Sequence, residues 1–214
     1  MRCSAVFGRE IDLGGALAID LMRFRKRLFV DQFGWDLSVA GDCERDQFDT
    51  SRAIYCALFY DAELAGMFRL IRTDHPYLSS VVFPDLAQLG NYPVRTDVWE
   101  VSRFGVMHSD MRLASAAIHA LMIHFARRLD VRALVAVTDL RYERVLRYQG
   151  IHTRRYGHPS VVGVDRSGRA IKAVAGEIPI SQQGGTKFQS LIELAEQMDI
   201  QDASHVFGYQ RVSA

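Results

Sequence analysis

A cation and two aromatic rings lie close together near the start of the sequence. Arg25 precedes Phe29 by four residues, and Trp35 follows after six more. If this stretch is helical, Arg25 and Phe29 occupy neighbouring positions on one helix face, where a cation can meet an aromatic ring. Spacing alone also allows an alternative, in which Phe29 belongs to the core and Arg25 is a surface residue that extends its charge into water.

Three acidic side chains follow in a long polar loop. Glu44, Asp46 and Asp49 lie within six residues of one another, and a solvated acidic loop is the ordinary interpretation. Arg69 and Arg103, however, each lie in an apolar run typical of a strand. A buried guanidinium requires carboxylates or a ligand carboxylate as partners. The strand arginines and loop acids therefore predict a charged cleft.

The order and spacing of these residues resemble the LuxI-type acyl-homoserine-lactone synthase family. The resemblance covers about residues 20–150 well and the remainder loosely. Each piece alone is weak, whereas the ordered set is specific. The motifs that carry it are Arg25, Phe29, Trp35, Glu44-x-Asp46-x-Phe48-Asp49, Arg69, the SVVFPD segment at 80–85, and Glu100-x-Ser102-Arg103-Phe104.

The resemblance implies an acyltransferase that moves an acyl group from acyl carrier protein or acyl-CoA to the amine of S-adenosylmethionine. Lactone closure and release of methylthioadenosine would follow, and the product would be a quorum-sensing signal. No cofactor is implied, because S-adenosylmethionine is a substrate. Arg69 or Arg103 would hold its carboxylate, and aromatic rings would face its sulfonium or adenine. The implied S-adenosylmethionine site consists of Arg25, Phe29, Trp35, Asp46, Asp49, Arg69, Phe83 and Arg103.

Acylation requires a base for the amine and hydrogen-bond donors for the developing oxyanion. Glu100 is the candidate base, directly or through water, and Arg103 and Ser102 complete the predicted catalytic group. In a regular strand Glu100 and Arg103 would point to opposite faces. A β-bulge near Ser102 would resolve this and free backbone N–H groups for the thioester carbonyl. Lactone closure needs no protein nucleophile, and no signature of a base marks Ser102 or Cys56 as one.

We expect the acyl chain to lie between the C-terminal half of the sheet and a helix at 113–129. The predicted lining residues are Phe104, Val106, Leu121, Met122, Phe125, Val137 and Thr138. Many family members that prefer 3-oxo-acyl groups carry threonine at the position of Thr138. Its hydroxyl would bond that oxygen, and an ordinary strand-end threonine is an equally good interpretation.

Two features of the sequence bear on the identity of the acyl donor. Residues 107–113 lack the glycine-rich turn that would hold a coenzyme A pyrophosphate, which leaves room for a carrier-protein donor without excluding a CoA thioester. Arginines also accumulate at 139–155 in a nearly neutral protein. A solvated helix face is one interpretation, and a docking patch for an acidic carrier protein at Arg147, Arg154 and Arg155 is the other.

Apolar periodicity predicts the elements that position these residues. Predicted helices lie at 16–33, 113–129, 139–149 and 190–198, and predicted strands at 54–60, 64–71, 99–106 and 134–137. Their order predicts a single α/β domain over residues 1–214, with helices flanking a mixed central sheet. The resemblance makes this a GNAT-like acyltransferase fold, with a splay between parallel strands at 99–106 and 134–137 that admits the acyl-pantetheine arm.

Composition narrows the class of protein. A chain of 214 residues with 49% hydrophobic content can bury one large core. A net charge of +1 gives no reason to expect nucleic-acid or membrane binding. Three cysteines without CxxC spacing and seven histidines without HExxH spacing predict neither a disulfide framework nor a metal site. Acidic residues interrupt the N-terminal segment before a signal-peptide core develops, so a cytoplasmic location is expected.

Two other functions would suit the same fold. A GNAT-type transferase that acylates an ordinary amine from acyl-CoA would use Glu100 but would not require Arg25, Phe29, Trp35 or the acidic loop. A non-catalytic small-molecule sensor would keep the pocket alone. Release of methylthioadenosine separates the three, because only the synthase produces it.

Overall fold

The computed structural model describes residues 3–165 and 167–208. The helices are α1 (Gly15–Arg25), which continues into a π-helical segment (Lys26–Gln32), α2 (Leu78–Val82), α3 (Met111–Arg128), α4 (Leu140–Tyr148) and α5 (Thr186–Glu196). The strands are β1 (Cys3–Arg9), β2 (Val39–Ala40), β3 (Cys43–Glu44), β4 (Ile54–Tyr60), β5 (Glu63–Arg72), β6 (Val98–Val106), β7 (Ala133–Asp139), β8 (Arg154–Arg155), β9 (Ser160–Val164), β10 (Ala170–Pro179) and β11 (Asp199–Asp202). Within these ranges no helix has the length and apolarity needed to span a bilayer.

Nine of the described strands form one mixed sheet. Their order is β11-β1-β4-β5-β6-β7-β10-β8, and β9 also pairs with β10. The pairs β1/β11 and β6/β7 are parallel, whereas the other neighbours in this sheet are antiparallel. The short strands β2 and β3 form a separate hairpin. The mixed sheet flanked by helices is the predicted architecture.

Each face of the sheet buries its own apolar cluster, because successive strand side chains point to opposite faces. Phe68 and Leu134 pack with α3 on one face. Met67 and Val135 pack with α1 and the π-helical segment on the other. We call these the α3 face and the α1 face.

Strands β6 and β7 separate soon after they begin. Their pairing runs from Val98 opposite Ala133 to Glu100 opposite Val135, although β6 continues to Val106 and β7 to Asp139. The predicted splay between these strands is therefore confirmed, and it opens directly after Glu100.

Most predicted elements are confirmed, with three differences. The helix predicted at 16–33 ends in a π-helical segment instead of a regular turn. The loop predicted around residues 35–52 contains the β2–β3 hairpin, and the last helix begins four residues earlier than predicted, at Thr186. The short helix α2 and strands β1, β8, β9, β10 and β11 are not predicted.

Candidate active site

A cluster of arginines and carboxylates lies buried on the α1 face, with Glu44 of β3 at its centre. Arg25, the last residue of α1, donates from Nε to Glu44 over 2.5 Å and from Nη1 to Asp49 over 2.7 Å. Arg103 of β6 donates from Nη2 to Glu44 over 2.9 Å and lies 2.8 Å from Asp46. One loop carboxylate thus joins arginines from two distant elements.

Arg69 of β5 connects the rest of the cluster. Its Nη1 donates to Asp46 over 2.5 Å and to Asp49 over 2.7 Å, and its Nε donates to the Ser102 hydroxyl over 3.1 Å. The Tyr55 hydroxyl also donates to Asp49, over 2.8 Å. The predicted arginines and carboxylates are therefore in mutual contact, but they form a buried cluster and not an open cleft.

The cluster is balanced in formal charge and nearly closed to solvent. The Arg25 and Arg69 side chains are 0% exposed, whereas those of Arg103 and Asp46 are 6% and 11% exposed. Burial opposes the ionisation of Asp49, but the ion pairs with Arg25 and Arg69 hold its pKa below the usual value. The Arg103–Asp46 edge is therefore the most exposed part of the cluster.

One buried donor in the cluster lacks a hydrogen bond. Arg25 Nη2 has no partner among the described residues, and it lies 3.9 Å from the Asp46 carboxylate. Buried donors are normally satisfied. Asp46 is shared by three guanidinium groups, so a small shift of its carboxylate would change the contacts of all three.

Arg103 reaches the cluster because β6 contains a β-bulge. Two residues of β6, Arg103 and Phe104, lie opposite the single residue Phe68 of β5. Arg103 has φ +50°, in the left-handed region that residues other than glycine rarely adopt. Val101 packs against the α3 cluster before the bulge and Phe104 packs against it afterwards. The extra residue reverses the alternation and turns Arg103 to the face of Glu100, so the predicted bulge is confirmed.

An aromatic wall borders the cluster. Phe29 of the π-helical segment stacks on Trp35 with ring centroids 5.2 Å apart, and the cation over Phe29 is Arg103, with Cζ 6.0 Å from the centroid. The expected meeting of Arg25 with Phe29 is wrong, because the carboxylates hold the Arg25 guanidinium. The alternative of a surface Arg25 is also wrong, since the residue is 0% exposed.

Glu100 is fully buried beside the start of α2. Its carboxylate accepts hydrogen bonds from the backbone N–H groups of Leu78 (3.0 Å) and Ser79 (2.6 Å) and from the Ser79 hydroxyl (2.5 Å). Burial raises the pKa of Glu100, although these hydrogen bonds and Arg69 oppose the shift. Glu100 therefore anchors the α2 segment, and its Oε2, which accepts one of the three bonds, keeps a lone pair for another.

Phe83 is not brought to the cluster. It packs with Leu86, Val137 and Tyr156 in a third apolar group beside β10, and its carbonyl accepts a hydrogen bond from Tyr92 over 3.0 Å. The other residues assigned to the S-adenosylmethionine site lie in the cluster or the aromatic wall.

The residues predicted to line the acyl pocket divide between the two faces of the sheet. Phe104, Val106, Leu121 and Met122 belong to the α3-face cluster. Val137 belongs to the third apolar group instead, and its inclusion in the pocket is wrong. The reason is the alternation along β7, which points Val137 and its neighbour in sequence to opposite faces.

Two further pocket residues have different surroundings. Thr138 is half-buried and, by the same alternation from Leu134, faces α3. Phe125 packs edge-on against Trp99 with centroids 5.1 Å apart, and it also stacks on Phe7. Because Trp99 lies in the paired part of β6, Phe125 is in the core below the closed end of the splay.

Two of the three predicted docking arginines already have acidic partners. Arg155 donates to Glu143 from Nε (2.6 Å) and Nη2 (2.5 Å), and Arg154 pairs with Glu177. Arg147 of α4 is exposed. Arg147 and Arg155 line a surface cavity of about 340 Å³ with Glu143, Ile151, His152 and Thr153.

Sequence reasoning misses Tyr55 and Ser79 and leaves Glu44 outside the substrate site. A partial signal for Glu44 is available, because the loop offers three carboxylates to the two strand arginines, Arg69 and Arg103, and a third buried arginine would use the remaining one. Tyr55 and Ser79 carry no comparable signal, since their partners Asp49 and Glu100 are identified only by the fold.

Comparison with known proteins gives consistent matches. A family model described as autoinducer synthase matches residues 15–187. An acyl-homoserine-lactone synthase of Aeromonas salmonicida is 33% identical over 151 residues, which cover 67% of this chain and 72% of that protein. One of Pseudomonas aeruginosa is 25% identical over 168 residues, covering 75% and 84% respectively. The crystal structure of TofI in a ternary complex with an inhibitor and MTA is 31% identical, with a TM-score of 0.73 over 89% of this chain and 96% of TofI. The region matched by the family model contains every arginine and carboxylate of the cluster.

Proposed function

Because the chain belongs to the autoinducer synthase family and is an acyl-homoserine-lactone synthase, we propose that its arginine–carboxylate cluster binds S-adenosylmethionine for acylation. The mixed, splayed sheet is the GNAT-like fold of such synthases. The observation that carries the proposal is the Arg103–Asp46 edge of the cluster, where a cation and an anion reach solvent side by side. Such a pair can bind a ligand that bears both a carboxylate and an ammonium group.

The contacts of the arginines favour Arg103 over Arg69 as the partner of the ligand carboxylate. Arg69 is sealed and already bonded to Asp46, Asp49 and Ser102. The side chain of Arg103 keeps 6% of its surface exposed, and its guanidinium can offer an N–H group there to a new acceptor. Asp46 would then accept hydrogen bonds from the ammonium group. A small movement of the Asp46 carboxylate in response would bring it closer to Arg25 Nη2, which lies 3.9 Å away.

The aromatic wall suits the remaining parts of S-adenosylmethionine. A sulfonium cation gains from the face of an aromatic ring, and adenine stacks on one. Phe29 and Trp35 present stacked rings beside Arg103. Placement of the sulfonium there would leave the amino group near the Arg103–Asp46 edge and the opening of the splay.

Acylation then requires the ammonium group to lose a proton before its nitrogen attacks the thioester carbonyl carbon. Glu100 receives that proton through a water at Oε2, because direct contact is blocked by its burial against α2. The backbone N–H groups of the bulge at Arg103 and Phe104 would hold the developing oxyanion. Collapse of the intermediate breaks the carbon–sulfur bond, and the thiol leaves with a proton.

Lactone closure follows within the acylated intermediate. The ligand carboxylate attacks the carbon next to the sulfonium, the carbon–sulfur bond breaks, and its electron pair stays on sulfur. Methylthioadenosine leaves as a neutral molecule, so no protein nucleophile or cofactor takes part. Ser102 contributes by holding Arg69 in place.

The acyl donor would enter through the splay from the side of α4. An acyl carrier protein or acyl-CoA can supply the pantetheine arm, and the exposed Arg147 with the partly neutralised Arg154 and Arg155 would meet the acidic surface of the former. The hydroxyl of Thr138, on the α3 face of β7, would bond an oxygen on the third carbon of the chain, whether that oxygen is a ketone or a hydroxyl.

The experiment is to incubate the protein with S-adenosylmethionine and mixed acyl donors and to analyse the products by mass spectrometry. We expect equal amounts of methylthioadenosine and acyl-homoserine lactone, formed only when both substrates are present. A chelator in the buffer should leave the rate unchanged, since no metal takes part. An acylated amine formed without methylthioadenosine would instead identify an ordinary GNAT-type transferase.

A further inference from the structure

On the α3 face a buried histidine, His119, pairs with a partly buried tyrosine, Tyr142, and neither has a part in the reaction as described. His119 of α3 is 0% exposed. Its Nε2 lies 2.6 Å from the Tyr142 hydroxyl of α4, and its Nδ1 lies 2.5 Å from the Ser115 carbonyl oxygen. Phe104 packs on both rings, with centroids 5.1 Å from His119 and 5.6 Å from Tyr142. A polar pair inside an apolar cluster is costly unless it is fully bonded.

The hydrogen positions in this pair follow from its partners. Burial lowers the pKa of His119 to about 4, so the imidazole is neutral at pH 7. The Ser115 carbonyl can only accept, so Nδ1 carries the proton. Nε2 is then an acceptor, and the Tyr142 hydroxyl must donate to it. The lone pairs of the Tyr142 oxygen remain, so this oxygen can accept a further hydrogen bond, but it has no second proton to donate.

The pair lies where the acyl chain must pass. Phe104 is the second residue of the bulge of β6, and Tyr142 lies in the first turn of α4, directly after β7. The two rings therefore meet edge to face where the strands diverge, and His119 contacts both of them. If the bulge holds the thioester carbonyl, the third carbon of the acyl chain is two bonds further along and next to these rings.

We propose that Tyr142, held by His119, accepts a hydrogen bond from a hydroxyl group on the third carbon of the acyl chain and so selects 3-hydroxyacyl over 3-oxoacyl donors. A hydroxyl group can donate to the Tyr142 oxygen, whereas a ketone is itself an acceptor and would meet lone pairs. Thr138 offers no such discrimination, because its rotatable hydroxyl can donate or accept. This inference rests on the proposed function.

The test compares three thioesters of equal chain length on the same carrier, with a hydroxyl, a ketone or no group at the third carbon. Release of methylthioadenosine gives kcat/KM for each. The wild type should prefer the hydroxyl donor over the ketone. In Tyr142→Phe, the ratio of the hydroxyl to the unsubstituted donor should fall by about three- to tenfold, the contribution of one neutral hydrogen bond. Tyr148→Phe is the matched control, because Tyr148 is a largely exposed tyrosine of the same helix, and it should not change the ratio.

A second variant separates this role from packing. His119→Phe keeps a ring below Phe104 but frees the Tyr142 proton, so the ketone donor should gain relative to the hydroxyl donor. Against the unsubstituted donor, the hydroxyl donor should fall in Tyr142→Phe, whereas in His119→Phe the hydroxyl donor should be kept and the ketone donor should rise. An unchanged hydroxyl ratio in Tyr142→Phe, or an equal fall of that ratio in His119→Phe, overturns the proposal while methylthioadenosine release continues. Absence of methylthioadenosine with all three donors overturns the proposed function and this inference together.

Discussion

The three arginines of the cluster have the same charge but different surroundings. Arg25 and Arg69 are sealed among carboxylates, whereas Arg103 keeps a small exposed area beside Asp46. Removing a partner from a buried ion pair leaves an uncompensated charge, which costs far more than loss of a surface pair. A structural role and the proposed binding role therefore overlap in these side chains, and experiments on them must measure both stability and activity.

Replacing Arg103 by alanine should abolish lactone formation. The change removes the proposed partner of the ligand carboxylate and leaves Glu44 without one of its two arginines. The free energy of unfolding should also fall, by about 3 kcal/mol or more. Denaturant unfolding and lactone yield would be measured on the same preparation. A folded variant with near-normal turnover would show that Arg103 does not contact the substrate.

Replacing Glu100 by glutamine should slow acylation by about 10²- to 10⁴-fold, the usual contribution of a general base. S-adenosylmethionine binding, measured by calorimetry, should be largely kept, because Glu100 lies outside the arginine cluster. Ser79→Ala is the control, since it removes one hydrogen bond to Glu100 but keeps the carboxylate. If glutamine abolished binding as well as turnover, Glu100 would be an anchor of α2 and not a base.

At the scale of elements, sequence predicts what depends on local pattern. The periodicity of α3 and the apolar runs of β4 and β5 define those elements within two residues. β10 is missed because it contains Lys172, Gly176 and Glu177, which are typical of loops. Its strand conformation depends on distant partners: a Cβ at Gly176 would lie 2.7 Å from the Arg154 carbonyl oxygen of β8.

The same limit applies to the site. Residue types are sufficient to predict a cluster of arginines and acids. The odd separation of Glu100 and Arg103, which would place them on opposite faces of a regular strand, is sufficient to predict a bulge. The partners of Glu100 could not be predicted, because Leu78 and Ser79 lie in a short helix without a distinct periodicity. The Arg25 environment was missed because its three carboxylate neighbours are specified only by the folded loop.

The bulge allows a test at the backbone. Arg103→Gly and Arg103→Ala remove the same guanidinium, but only glycine adopts φ +50° without strain. The glycine variant should therefore be more stable than the alanine variant by about 1 kcal/mol, although both lose activity. Thermal unfolding of the two proteins side by side measures the difference. Equal stabilities would mean that the bulge relaxes once the ion pairs are gone.

At the scale of the whole molecule, the chain is nearly neutral but its surface charge is unevenly distributed. Arg147 is exposed on α4, and Arg155 lies in the same surface cavity. The acidic partners of Arg154 and Arg155 reduce the local excess of charge. A docking role for this surface would therefore depend on Arg147 and on exchange of internal ion pairs for contacts with the partner.

Replacing Arg147, Arg154 and Arg155 by glutamate should raise the Michaelis constant for an acyl carrier protein donor and leave that for a minimal acyl-pantetheine nearly unchanged. Raised salt should also increase the Michaelis constant of the wild-type protein for the acyl carrier protein donor and not for the acyl-pantetheine, because exposed charges are screened over about 10 Å at 0.1 M. The control is a glutamate pair at Arg127 and Arg128, which lie on a separate surface cavity. Normal use of the carrier protein by the triple variant, or a strong preference of the wild type for acyl-CoA, would contradict docking here.

The parallel pairing of β1 with β11 has a consequence for biosynthesis. Ser4 lies opposite Asp199. Strand β1 is therefore synthesised early, and it cannot pair with β11 until nearly two hundred more residues have been made. Until then β1 has β4 on one side only, and its other edge exposes unpaired N–H and C=O groups that can recruit another chain. A nascent chain stopped before residue 199 should therefore retain most of the arginine cluster and the splay, yet be prone to aggregate through that open edge, where chaperones that shield exposed strands would be needed.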